Sequence, residues 1–434
     1  MQFIHNIKGV VLAVFFLAFS ACGSEQEVQQ ANEEDRVIVQ KFHFEDLPLI
    51  GEFEGVKVFE GGFSGLHYIP GSDMEFYAIN DRGPNVKANK HPLADGADAK
   101  LMPFADYKQK IFRLKLDDEF VRVLDQWEVV VGEQSVSGLA PDYDHVKQRE
   151  LMWGGEALDT LHPDPIGMDM EGIALGKDGD VWVCEEYRPA ILRLDAETKR
   201  VKQVFAPTDL PFADTVTLDT VVLYRRTNRG FEGITSTPNG NIYTIFQSPL
   251  AIPDKKAGKK TQILRILEIN PETNEQNWYL YEMEKAYGDI RQKDWKVGSI
   301  AAINNNEFLV LEHAQRKGDN SKYLMKINLA DATRLSTGGS QAYEKYLNQD
   351  GLNMIGTEIR VVEKELFLDL REHGWDEALE KAEGIAVIDS RTIAVINDND
   401  YAVDSPDKDG KLVNTGDPSV LFLIRLPESK KLNL

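Results

Sequence analysis

Cysteine is nearly missing from this sequence: its 434 residues contain only Cys22 and Cys184. Two isolated thiols exclude a disulfide-stapled scaffold and a zinc site built from closely spaced cysteines. Stability therefore has to come from burial, and a hydrophobic content of 42% supplies a core and argues against disorder. Beyond residue 22 no apolar run approaches the roughly 18 residues of a membrane helix. An excess of cations is also lacking, since the formal charge is −22. Such a field repels polyanions, so no nucleic-acid partner is expected, and it favours divalent cations. No Gly-x-Ser-x-Gly elbow is present to support a serine esterase.

The first 22 residues differ in kind from the rest. Lys8 precedes an apolar run, Val10 to Phe19, and the small residues Ser20 and Ala21 precede Cys22. This reads as a lipoprotein signal over residues 1–21 with lipid attached to Cys22; the alternative is an ordinary secretory signal. Residues 22–35 are polar and acidic and read as a flexible tether. The expected product is an exported monomer held by its N-terminal lipid in the bacterial cell envelope, at the outer membrane.

Residues 36–428 carry a repeat. Five related segments occur: Phe63-Ser64-Gly65-Leu66, Met170-Glu171-Gly172-Ile173, Phe231-Glu232-Gly233-Ile234, Val297-Gly298-Ser299-Ile300 and Ala382-Glu383-Gly384-Ile385. Each opens an alternating run that leads through a polar turn, such as Lys177-Asp178-Gly179-Asp180, into a second run such as Val181-Trp182-Val183. That is a hairpin signature. Third strands follow at 111–116, 191–194, 263–269, 323–329 and 420–426, and fourth strands at 121–131, 201–205, 278–282 and 365–370. The fold class is all-β, a propeller of four-stranded blades, with five blades recognised and six possible. The last unit lacks a fourth strand, which 37–44 or 56–59 is expected to supply, since ring closure removes exposed sheet edges. The Gly- and Pro-containing stretch 132–169 has weak strand periodicity and reads as a long inserted loop over the channel.

Polar residues recur where first strands start (Ser64, Glu171, Glu232, Glu383) and where second strands end (Asp81, Glu185 and Glu186, Gln247, Glu312, Asp398 and Asp400). In an antiparallel hairpin these positions share one end, so they converge on one mouth of the channel. Like charges gathered there need protons, partners or a metal. With oxygen donors in excess and few histidines, the expected ion is Ca²⁺, held by Glu171, Glu232, Glu383, Asp81, Glu186, Glu312 and Asp398. The bland reading is that these acids hold neighbouring blades together through hydrogen bonds. Arg82, Arg188 and Arg229 lie near the same positions and are candidates for holding phosphate, or for pairing with the acids. His313 is the first candidate for a general acid or base. Cys184 sits in an apolar strand and reads as core.

Taken together, Gly62-Phe-Ser-Gly-Leu66, Ile79-Asn-Asp-Arg-Gly-Pro-Asn85, Asp169-Met-Glu-Gly-Ile173, Glu185-Glu-Tyr-Arg-Pro189, Asn228-Arg-Gly-Phe-Glu-Gly-Ile234, Gln247-Ser-Pro249 and Asn397-Asp-Asn-Asp400 resemble the phytase-like family, also called esterase-like activity of phytase. The resemblance spans about residues 55 to 426 and implies a β-propeller with a catalytic acidic site. By looser analogy it implies a calcium-dependent phosphoesterase acting on a small phosphoester. A lactonase or carboxylic esterase, and a non-catalytic envelope lipoprotein that binds a small ligand or a protein, are the alternatives. Gly298-Ser299 departs from the Glu-Gly pattern, so a site need not use every blade.

Overall fold

Each repeat segment folds as the inner strand of a four-stranded antiparallel blade. The computed structural model describes residues 36–434 apart from 97, 142–149, 211–212, 337–358 and 380. Residues 1–35, with the signal, Cys22 and the whole tether, lie outside the described residues. Blade 1 comprises Phe63–Tyr68, Glu75–Asn80, Lys110–Leu116 and Phe120–Glu128. Blade 2 comprises Met170–Leu175, Val181–Glu185, Ala190–Leu194 and Val201–Ala206; a short strand, Asp214–Thr217, runs parallel to its edge. Blade 3 comprises Phe231–Ser236, Ile242–Phe246, Ile263–Ile269 and Gln276–Glu282. Blade 4 comprises Lys296–Ala302, Glu307–Arg316, Asp319–Asn328 and Glu363–Asp369.

Blade 5 takes Lys381–Asp389, Thr392–Asp398 and Val420–Arg425 from the C-terminal region and its outer strand, Ile38–Phe44, from the other end of the chain. Six register pairs, from Ile38 with Arg425 to His43 with Val420, close the ring. The other candidate for closure, Val56–Phe59, pairs instead with Leu49–Phe53 in a separate ribbon. The inner strands neighbour one another in the cyclic order 1-2-3-4-5-1, so the described residues form a five-bladed propeller.

Blade faces are sealed by large apolar side chains, because every inner strand is covered on both sides. Phe63 and Phe112 of blade 1 pack with Ala394 and Ile396 of blade 5, and Trp182 of blade 2 packs with Phe231 and Ile234 of blade 3. Cys184 is buried in this core as a free thiol. The predicted turns hold, with Gly179 and Gly240 at φ +87° and +97°, where a Cβ would be strained.

The Glu-Gly signature has a packing cause. Near the axis the strands approach so closely that a Cβ on Gly65 would lie 2.9 Å from Gly172 Cα. One on Gly172 would lie 3.1 Å from Gly233 Cα, and one on Gly384 would lie 2.8 Å from Leu66 Cβ. Ordinary carbon contacts are ~3.5–4.0 Å, so only glycine fits without a shift. Every inner strand also breaks register at this point. Such a bulge re-aims the extra residue and recurs beside functional sites.

The stretch 132–169 is not only a loop. Leu151–Gly154 and Asp159–Thr160 join Val86–Lys87 and Ala99–Met102 in a small four-stranded sheet, while 142–149 lie outside the described residues. Two-residue strands carry too little alternation to be read from sequence. This sheet, the ribbon 49–59 and the segment 401–412 share an apolar cluster beside the mouth, including Phe53, Leu101, Tyr107 and Tyr401. Among the described residues no helix is long and apolar enough to cross a membrane.

Candidate functional site

At the mouth each blade presents three positions fixed by strand register. The residue just before the bulge pairs across the hairpin in every blade: Phe63 with Asn80, Met170 with Glu185, Phe231 with Phe246, Val297 with Glu312 and Ala382 with Asn397. One residue outward, the same ladder meets Gly62 with Asp81, Asp169 with Glu186, Gly230 with Gln247, Lys296 with His313 and Lys381 with Asp398. One residue inward is the bulge: Ser64, Glu171, Glu232, Gly298 and Glu383. The backbone repeats five times, whereas the side chains do not.

Carboxylates crowd this mouth in three linked groups: Asp81 with Asp398 and Asp400, Asp81 with Asp169 and Glu171, and Glu171 with Glu232 and Glu383. Within each group one oxygen per residue lies within 4.8 Å of the others. The Asp400 side chain is 49% exposed, whereas Glu171, Glu232 and Glu383 are 6%, 2% and 4% exposed, so the groups descend from solvent into the axis. Burial first, and Glu232 next to it, pushes Glu171 well above the carboxylate range. Burial and Asp398 push Glu383 up to about 8. Burial pushes Glu186 up to about 7 and Asp169 up to about 6, the latter against the pull of Arg82.

Hydrogen-bond donors are unevenly shared among these acids. Both oxygens of Asp169, both of Glu186 and Glu232 Oε2 are buried without a hydrogen-bond donor, Asp169 Oδ2 having only the Arg82 Nε at 3.9 Å as an ion-pair partner. Asp398, by contrast, accepts from Lys381 Nζ and from the Asp400 N–H at 2.6 Å, and Lys381 also donates to Asp400 Oδ1 at 2.6 Å. Asp400 is turned toward Lys381 by three successive left-handed residues, Asp400, Tyr401 and Ala402, at φ 48°, 57° and 55°. That conformation costs about 1–2 kcal/mol per non-glycine residue. Tyr401 pins the turn by donating from its hydroxyl to the Asp81 carbonyl at 2.8 Å.

Donor-less buried carboxylates are the groups a hard cation satisfies. Oxygens on opposite sides of a hard divalent cation lie ~4–5 Å apart, a spacing that groups within 4.8 Å can meet. The residues present therefore fit a divalent metal held by oxygen.

Of the residues singled out from sequence, Glu171, Glu232, Glu383, Asp81 and Asp398 fall within these groups, and Glu186 lies beside them with its charge felt by Asp169 and Glu171. Glu312 does not join them. It occupies the Asn80, Glu185 and Asn397 position, where side chains turn into the blades, and accepts from Tyr281, from the Glu284 N–H at 2.8 Å and from Lys364 at 3.1 Å. Its neighbour His313 takes the mouth position. There burial, then Lys322 and Lys296, holds the imidazole well below its usual range and hence neutral, with Nε2 unpartnered.

Two of the three arginines are committed within the protein. Arg82, 1% exposed, donates to Glu150 at 2.6 Å and to Asn85 at 3.1 Å. Arg188 donates to the Pro165 and Gly167 carbonyls, fixing the segment before blade 2. Both are positioning groups rather than open phosphate ligands. Arg229 is half-buried, donates to Ser248 Oγ at 2.7 Å and has Glu186 and Glu232 among its charged neighbours. Sequence reading missed Asp169, Lys296 and Lys381. All three stand two residues before the bulge, a spacing that aligning Gly62, Asp169, Gly230, Lys296 and Lys381 would have exposed.

Residues 59–401 match the family described as Phytase-like: Esterase-like activity of phytase. An uncharacterized secreted protein of Arthroderma benhamiae is 25% identical over 188 residues, and the match spans about a third of that protein's length, 36% of each chain. Among solved structures, the PQQ-bound aldose sugar dehydrogenase of Streptomyces coelicolor is 11% identical with a TM-score of 0.34, covering 89% of this chain and 98% of that one. Virginiamycin B lyase of Staphylococcus aureus is 13% identical with a TM-score of 0.28, covering 90% of this chain and all of that one.

Proposed function

This chain belongs to the phytase-like family, and from that premise we propose that it is a Ca²⁺-dependent phosphoric ester hydrolase acting at the acidic mouth of the propeller. The observation that carries the proposal is the donor-less, buried state of Asp169 and Glu186 beside the Glu171, Glu232 and Glu383 group. Glu171, Glu232, Glu383, Asp81, Asp169 and Glu186 would hold the ion. When bound, Ca²⁺ supplies charge neutralisation for phosphoryl oxygens and acidifies water. Arg229 orients the anionic group, the one arginine of the three that keeps part of its surface open. Lys296, half-buried on the neighbouring blade, adds positive charge on the same side. The neutral His313, whose Nε2 has no protein partner, offers a hydrogen bond to substrate or water there.

The test is phosphate release from a panel of phosphomonoesters that includes phytate, with Ca²⁺ and with chelator. Release that needs Ca²⁺ and falls on the order of 100-fold in Glu171→Gln/Glu232→Gln is the expected result. No release by the folded, Ca²⁺-loaded protein would overturn it. The esterase-like description of the family favours carboxylic esters or lactones as the second substrate class, and the same panel should include them. If neither class is turned over, a binding role for the mouth replaces both. Export with lipid attachment at Cys22 is proposed alongside; the secreted description of the Arthroderma protein supports export, and mass analysis of the mature N-terminus tests both.

A further inference from the structure

We propose that Lys381 is a tethered cation that occupies one of the two cation positions sharing Asp81, so that of these two only the other is left to a divalent ion. The inference rests on the metal reading above and goes beyond it, because it assigns the loss of one ion position to one side chain.

Asp81 belongs to two carboxylate groups, one continuing to Asp398 and Asp400 and the other to Asp169 and Glu171. By carboxylate spacing alone the two are equivalent. They differ in what already satisfies them. On the first side the Lys381 ammonium bridges Asp398 and Asp400, and the second oxygen of Asp398 accepts the Asp400 N–H. On the second side Asp169 and Glu186, 1% and 0% exposed, accept no protein hydrogen bond within 3.5 Å, and the Arg82 Nε paired with Asp169 Oδ2 stands off at 3.9 Å.

Register makes the contrast sharper. Lys381 stands on blade 5 where Asp169 stands on blade 2, each opposite a second-strand acid, Asp398 or Glu186. The same backbone position thus carries opposite charges on the two sides of Asp81. An ammonium already within hydrogen-bond reach of both Asp398 and Asp400 competes with a metal for their oxygens and repels it. The left-handed turn at Asp400 to Ala402 keeps the second carboxylate over the lysine. A divalent ion is left the Asp169, Glu171 and Glu186 side.

The experiment is Ca²⁺ stoichiometry of the full chain, by titration calorimetry and native mass spectrometry, for wild type and Lys381→Met. The expected result is one more ion in Lys381→Met than in wild type, with that extra ion lost again in Lys381→Met/Asp400→Asn. The same count in wild type and Lys381→Met overturns the inference. A wild-type count of zero overturns the metal reading itself, so the two failures are distinct. Should Lys381→Met not fold, two single variants decide. Asp400→Asn should leave Ca²⁺ affinity within about threefold, while Asp169→Asn should weaken it by about 10- to 100-fold. Loss of binding in Asp400→Asn, or none in Asp169→Asn, overturns the inference.

Discussion

Blades 2 and 4 share a backbone and oppose each other in charge. Both have the hairpin, the bulge and the close approach to the next blade. At the three mouth positions blade 2 carries Asp169, Glu171 and Glu186, whereas blade 4 carries Lys296, Gly298 and His313. Ring closure therefore constrains only the size of the side chain near the axis. Everything one step outward is free to be chosen for chemistry. The result is a polarised mouth, with an acidic arc suited to a cation and a basic sector, reinforced by Arg229, suited to an anion.

Transplanting a residue of the basic sector into the acidic arc should have the largest effect. Asp169→Lys places an ammonium where blade 2 offers donor-less oxygens. Ca²⁺ affinity should fall by on the order of 100-fold or more, read by calorimetry. Next in size is Gly172→Ala, whose methyl would meet the backbone of Gly233 and Ile234 at about 3 Å. Overpacking of this kind costs about 1–3 kcal/mol, measured by urea unfolding. Blade 4 already carries Ser299 at the corresponding position, so Ser299→Ala should change stability by less than about 0.5 kcal/mol.

A change of pH should sharpen the comparison more gently. In the chelated protein burial lifts Asp169 and Asp398 to about 6 from an ordinary 3.8, and Glu186 to about 7 and Glu383 to about 8 from 4.5. The folded state then binds more protons than the unfolded one across that window. The stability these four groups contribute is full below their ordinary values and is lost as pH rises through 6 to 8. Added Ca²⁺ should reverse the loss, and more strongly at the higher pH, where its ligands are ionised. Thermal melts at pH 5 and pH 8, with and without Ca²⁺, measure this; no gain from Ca²⁺ at pH 8 would count against the carboxylate arc as its site. The smallest effect on activity should come from Glu312→Gln, within about twofold. The same change should cost about 1–3 kcal/mol of stability, because the Tyr281, Glu284 and Lys364 contacts weaken.

That last residue marks where sequence reading stopped. The propeller, the hairpins and the inner Glu-Gly positions were legible because a repeated backbone constraint leaves a repeated residue. The outer positions were legible only where an acid happened to mark them. At the end of the second strand of blade 4 the acid is Glu312, yet register assigns the mouth to His313. A step of one residue moves a strand side chain to the opposite face, so residue type was a poor guide to direction. The commitments of Arg82 and Arg188 were hidden because Glu150, Pro165 and Gly167 reach them from a segment with almost no periodicity. Lys381 was invisible because its role depends on Asp400 being folded back over it.

The strand Ile38–Phe44 sets an order of assembly. It is the first described strand to be synthesised, and its six partners, Val420 to Arg425, are among the last. Blades 1 to 4 can form as their hairpins are completed, but the ring cannot lock until nearly the whole chain is available, and contacts of such sequence separation form slowly. Until then Ile38–Phe44 waits without its Val420–Arg425 partner, a template for pairing with another chain. The hazard for a chain built this way is misassembly through that edge before blade 5 is complete.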